Sequence, residues 1–155
     1  MPTVFVTHPQ DKLDLYFGER ATRALQAVAE VRFNPEAREL STAELAQAAQ
    51  DCELLIAYRQ TPGPAALFDA LPRLAAFVRC AMDIRTVDVD AAGAHGVLVT
   101  RASAGFVPAV AEWILGVMID LGRGIGRYAQ AYREGGNPEP AMGRQLRGST
   151  LGVIG

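Results

Sequence analysis

The chain has 155 residues, enough for one domain that buries about 70% of the surface its unfolded form would expose. Hydrophobic residues make up 50% and charged ones 21%, which excludes a disordered chain. A net charge of -2 with scattered Lys and Arg excludes the basic stripe that neutralises nucleic-acid phosphates, so nucleic acid is not an expected partner.

The N-terminal "MPTVFVTHPQDKLDL" has neither a basic start nor a long apolar run, so no signal peptide or membrane anchor is read there and a cytoplasmic location is expected. Residues 3–6 read as a strand that runs into the loop "HPQ". Residues 11–30 place Leu13, Phe17, Leu25 and Val28 at nearly helical spacing, with Gly18 as a weak point, and residues 31–33 make a second strand. Ser41, followed three residues on by Glu44, is the reciprocal capping pattern and opens a helix over 41–50.

Residues 54–58, "LLIAY", form an apolar strand stopped by Pro62, Gly63 and Pro64, and a short helix follows over 67–71. Residues 75–79 are a fourth strand, 88–96 a short helix ended by Gly96, and 97–100 a fifth strand. Apolar strands alternating with helices predict a parallel sheet covered on both faces, hence an α/β doubly wound fold. Ligands of such sheets gather at the carboxyl ends of the strands, here the loops at His8, 58–61, 79–85 and 101–106.

Residues 107–134 then read as one long helix with Val110, Ile114, Val117, Met118 and Leu121 on a broad apolar face. Its apolar start, residues 105–119, carries Pro108 and Glu112 and falls short of the ~20 residues that span a bilayer, so it is expected to be a buried helix rather than a membrane span. Residues 135–143, with several glycines and prolines, form an irregular connector. The closing "LRGSTLGVIG" reads as the opening of a buried strand that ends, at Gly155, on the first glycine of a dinucleotide fingerprint.

The stretch "VRCAMDIRTVDVDAAGAHGVLVTRASAGFVPAVAEWILGVM", residues 78–118, resembles a segment of the D-2-hydroxyacid dehydrogenases. That segment reads in outline R-A-G-V-G-x-D-N-I-D, a short helix, G-I-x-V-x-N, and a helix opening on x-V-A-E. The tail "GRQLRGSTLGVIG" is similar to the family's G-x-x-L-x-G-S-T-L-G-V-I-G approach to its nucleotide-binding domain. The resemblance implies a flavodoxin-like, five-stranded substrate domain over 1–104, an interdomain and dimer helix over 105–135, a connector over 136–149, and the first strand of a Rossmann domain over 150–155. It further implies an oxidoreductase that uses NAD or NADP on a D-2-hydroxy or 2-keto acid, forms a homodimer, and works in the cleft between its domains. The family's catalytic arginine, acid and histidine follow the position of Gly155, so no catalytic residue and no metal ligand is assigned here.

By the same resemblance, the backbone of Ala81, Met82 and Asp83 meets the substrate carboxylate, and Arg59 and Gln60 sit on a second substrate loop. Val110 falls near the nicotinamide ring, and Gly155 belongs to the cofactor. The family usually has glycine where this chain has Ala81 and Asp83, and aspartate where it has Arg85. Asp83 would repel an acid substrate unless it pairs with Arg85 or points away.

Among the remaining residues, His95 beside Gly96 is read as a structural helix-end histidine, and His8 after the first strand as a cleft-side residue able to touch substrate. Cys52 and Cys80 show no metal spacing; a catalytic thiol at Cys80 is the open alternative to a reduced, partly buried one. The competing reading of the whole chain is a catalytically inactive truncated domain that serves dimerisation or partner binding through its long apolar helix.

Overall fold

The computed structural model describes residues 1–154. It divides into two compact units, Met1–Ser103 and Ala104–Gly155.

In the first unit five strands form one all-parallel sheet in the order β2-β1-β3-β4-β5. The strands are β1 (Thr3–Val6), β2 (Glu30–Phe33), β3 (Leu54–Ala57), β4 (Ala76–Arg79) and β5 (Leu98–Arg101). β1 lies inside the sheet, with Val4 opposite Val31 on one side and Leu54 on the other. This is the flavodoxin-like order, in which the chain reverses direction across the sheet beside β1.

Alternate side chains feed two separate cores. Phe5, Leu55 and Phe77 point to one face, where Leu45, Leu67, Phe68, Leu71 and Ala92 close over them. Those residues come from α3 (Thr42–Ala48), α4 (Ala65–Ala70), its C-cap Leu71 and α5 (Val89–Ala94). Val4, Val6 and Ala29 make the smaller core on the other face, with Leu13, Phe17, Leu25 and Ile56 partly buried against it.

The helix expected over 11–30 is broken where Gly18 adopts φ +60, a left-handed value that no helix interior accommodates. A 3-10 turn over Gln10–Lys12 leads into α1 (Leu13–Tyr16), and α2 (Gly18–Gln26) stops before Val28, which is exposed. The capping box of α3 is formed: Glu44 N–H donates to Ser41 Oγ at 3.3 Å and Ser41 N–H to Glu44 Oε2 at 2.8 Å. α4 begins two residues before the expected 67, because Pro64 already supplies an extended N-cap. Asp88 caps α5, and Gly96 at φ +70 ends it.

In the second unit, the helix expected as one piece over 107–134 is two, α6 (Val107–Arg123) and α7 (Ile125–Arg133). Gly124 at φ +67 caps the first, and its N–H donates to Asp120 O at 2.6 Å. The expectation of a buried helix is corrected as well: no residue of α6 is buried, and Trp113 is 69% and Leu121 80% exposed. Apolar periodicity shows that a helix has a face to cover, but burial also needs something packed on it.

The connector folds back, with Arg144 N–H donating to Gly122 O at 2.7 Å and Ala141 N–H to Tyr128 Oη at 2.7 Å. The strand expected from 150 onward is not formed over Leu151, Gly152, Val153 and Ile154, since a strand exists only beside a partner and these residues pair with no other among the described residues. Gly155 lies outside the described residues. No helix among the described residues is long and apolar enough to cross a membrane.

Candidate substrate cleft

The buried polar side chains of the sheet unit are Thr7, His8, Asn34, Thr61 and Arg79, and all of them stand at the carboxyl ends of strands. Polar groups are costly to bury unless hydrogen-bonded, so their gathering at one edge makes that edge the candidate site. Four of the five are tied together. Asn34, after β2, donates to Thr7 O at 3.3 Å and to Arg38 O at 2.9 Å. Thr7 Oγ1 accepts from Tyr58 N–H at 2.9 Å and shares a hydrogen bond with Thr61 Oγ1 at 2.7 Å.

Arg79, the last residue of β4, completes the chain. Its side chain is nearly inaccessible, at 4% exposure, and it donates to the carbonyls of Arg59 and Thr61 on one loop and, at 3.1 Å, of Asp83 on the next. Burial lowers its affinity for the proton from the usual arginine value. The same two loops also meet through backbone. Gly63 N–H donates to Thr86 O at 3.0 Å, Asp88 N–H donates to Gly63 O at 2.8 Å, and a Cβ on Gly63 would lie 3.0 Å from Val87.

A cleft of about 470 Å³ opens over this edge. Arg59, Gln60, Ala81 and Asp83, expected from the sequence as substrate contacts, line it together. Arg79, the first residue of the expected loop 79–85, lines it too, as do Glu39 and Thr86, which were not anticipated. Met82, the fifth expected contact, offers its carbonyl to Arg101 Nη1 at 3.4 Å. A larger cavity of about 580 Å³ lies in the second unit, but apart from Arg123 it is walled by apolar, aromatic and proline residues such as Ile119, Tyr132 and Pro138.

The amides of Ala81, Met82 and Asp83 donate to no acceptor among the described residues. Their orientation follows from the planar trans peptide, which points each N–H opposite to the preceding carbonyl. Ala102 N–H takes the carbonyl of Ala81 at 3.1 Å, and Arg101 takes that of Met82. The N–H groups of Met82 and Asp83 therefore face away from β5, free to meet an anion.

The departures from the family's glycines have a local explanation. Among the described residues no non-glycine has positive φ, so Ala81 and Asp83 occupy ordinary backbone conformations. The Asp83 carboxylate is turned onto Arg85, whose Nη2 lies at 2.7 Å from Oδ2 and whose Nε and N–H both reach Oδ1. Arg85 holds the Asp83 carboxyl well below the usual carboxylate range. The pair expected as one of two possibilities is thus formed, and it neutralises the charge that would repel an acid.

His8 does not stand open to the cleft as the sequence suggested. It is completely buried, with ring centroids 5.0 Å from Tyr16, 5.1 Å from Phe17 and 5.0 Å from Tyr58, and neither ring nitrogen has a partner among the described residues. Burial pushes its pKa down to about 4. His95 is structural as expected, joining Ala91 O at 2.9 Å and Asp69 Oδ1 at 3.1 Å. Burial pushes the Cys80 thiol up, as it does Cys52, which is the opposite of what a thiolate nucleophile needs. Among the described residues no cluster of three His, Cys, Asp or Glu is placed to hold a metal. Val110 lies half exposed on α6 in the second unit.

The all-parallel sheet in this strand order defines an α/β domain of the flavodoxin-like kind. A model of the family described as D-isomer specific 2-hydroxyacid dehydrogenase, catalytic domain, matches residues 4–150, and the chain belongs to that family. It is 33% identical over 121 residues to D-3-phosphoglycerate dehydrogenase of Rattus norvegicus, covering 77% of this chain and 23% of the rat protein. It is 29% identical over 149 residues to hydroxypyruvate reductase of Thermotoga maritima, covering 96% of this chain and 47% of that one. The chain thus spans less than half the length of these two relatives. A solved D-isomer specific 2-hydroxyacid dehydrogenase, NAD-binding, from Polaromonas sp. JS6 66 superposes with a TM-score of 0.77 at 18% identity over 94% of this chain and 45% of that one, a likeness of fold.

Proposed function

We propose that this chain is the substrate-binding part of an NAD- or NADP-dependent oxidoreductase that interconverts a D-2-hydroxy acid and its 2-keto acid. The observation that carries this reading is the run of free amides at Ala81, Met82 and Asp83 beside Arg59 and Gln60, in a cleft floored by Arg79. Backbone N–H groups left free beside one another suit a carboxylate, and the Asp83 charge is already answered by Arg85. In this reading residues 1–104 hold the acid, 105–135 link and dimerise, 136–149 connect, and 150–155 lead into the nucleotide-binding domain.

The described residues do not by themselves fit a dinucleotide. Residues 151–154 form no strand, and only Val110 and Gly155 are candidates to approach the cofactor. Hydride chemistry would belong to the nicotinamide, and what this chain contributes is binding and orientation of the acid. The protein in this reading is cytoplasmic and homodimeric.

Titration of the isotopically labelled chain with oxamate, the unreactive amide analogue of a 2-keto acid, tests the cleft. Shifts at Arg59, Gln60 and Ala81 to Asp83 are expected, and a titration that leaves those amides unmoved refutes the reading. The pure chain is expected not to oxidise NADH in the presence of glyoxylate, pyruvate or hydroxypyruvate. The second reading, a catalytically inactive module for dimerisation or partner binding, is favoured by the exposure of Trp113 and Leu121 on α6. It predicts assembly without any response to oxamate.

A further inference from the structure

Arg79 is the one buried arginine among the described residues, and no carboxylate answers it. Asp83, the acid of the adjoining loop, gives its side chain to Arg85 and only its carbonyl to Arg79. A guanidinium taken out of water without a counter-charge is costly, and here it is met by three backbone carbonyls from two loops. The planar fork suits such a bridge, because Nε reaches one loop while the two Nη atoms reach the other, which a single ammonium centre at the end of a lysine does not match.

Those three bonds set peptide planes as well as distances. With the carbonyl of Arg59 turned to Arg79, the trans peptide sends the Gln60 N–H the opposite way, and the Asp83 bond does the same for the N–H of Ile84. Thr7 grips the first loop from the β1 side, through Tyr58 N–H and Thr61 Oγ1. Arg79 alone of these side chains bonds to both loops.

Building on the proposed reading of the cleft, we propose that Arg79 is a positioning residue that sets the separation and peptide orientation of loops 59–61 and 81–83, between which the substrate carboxylate is held. It acts through the loops and leaves contact with the acid to Arg59, Gln60 and the free amides.

The test compares Arg79→Met and Arg79→Lys with the unaltered 155-residue chain, at a temperature where circular dichroism shows each to be folded. Amide hydrogen exchange in Arg79→Met is expected to rise about tenfold at Thr61, Gly63 and Val87, whose N–H groups are hydrogen-bonded within and between the two loops, while β1 and β3 stay protected, which general destabilisation would not produce. Oxamate affinity, read from the cleft amides, is expected to fall about fivefold or more because the loops must then be ordered on binding. Arg79→Lys keeps the charge but not the fork and is expected to resemble Arg79→Met; if Arg79→Met fails to fold, Arg79→Lys carries the comparison.

Loop exchange and affinity equal to the unaltered chain in either variant would overturn the proposal. If oxamate does not bind even to the unaltered chain, the cleft reading fails. The exchange data then still decide whether Arg79 holds the two loops.

Discussion

His8 and Glu44 respond to acid in separate windows. The buried His8 ring has its pKa pushed from 6.5 to about 4, so the unfolded chain takes up the proton first as pH falls. The stability it confers as a neutral ring is complete above pH 6.5 and drains away toward pH 4, with a loss of about 2 kcal/mol by pH 5. Glu44 is shifted the same way for a different reason: Arg38 and the Ser41 cap hold its carboxyl down to about 2. Its contribution is present above 4.5 and is lost only as pH falls from there toward 2. Denaturation midpoints between pH 6.5 and 5 therefore report His8, and His8→Phe is expected to flatten that slope; an unchanged slope would refute the assignment. At the cleft rim, Arg85→Ala leaves the Asp83 carboxylate unpartnered. We expect little change in thermal midpoint, because Arg85 is 89% exposed, and a several-fold weaker response to oxamate that added salt relieves. Arg59, Gln60, Ala81 and Asp83 were legible as cleft residues from the motif and from their place after strands. The loop-bridging contacts of Arg79 and the burial of His8 were not, since nothing local in "FVRCA" or "VTHPQ" shows which distant groups converge on them.

At the scale of elements, the helix termini are the points where local chemistry decides. The α3 capping box was readable from Ser41 and Glu44 and is formed, so Ser41→Ala is expected to cost about 1 kcal/mol in urea denaturation. Gly18 and Gly124 each carry a left-handed φ and cut what apolar spacing suggested were single helices. Periodicity counts side chains on a face and passes over the backbone angle of one residue, so both long helices were overdrawn. Gly63 shows another kind of constraint. Its added Cβ would lie 3.0 Å from Val87, 3.3 Å from Phe68 and 3.4 Å from Phe77, all of them core residues. Gly63→Ala is expected to destabilise by about 1–3 kcal/mol in the same assay and to loosen the 84–88 turn; a neutral variant would mean that the core gives way there.

For the whole molecule the open matter is what covers α6. Its exposed apolar residues ask for a partner, and the homodimer proposed for this protein should appear in sedimentation velocity and persist without nucleotide, whereas a monomer at high concentration would contradict it. The sequence by itself determined the alternation of strands and helices, the parallel two-faced sheet, the capping box and the family, because apolar periodicity and turn residues act over a few neighbours and the motif is contiguous. Only the tertiary structure decided which loops meet. Arg79 finds its carbonyl partners 18 and 20 residues back along the chain, and Thr7 reaches Tyr58 and Thr61 across more than 50. The sheet decided the burial of His8 in the same way, by bringing Tyr58 from after β3 onto a ring that follows β1. Such meetings are fixed by strand order and register, which place residues remote in sequence a few ångströms apart.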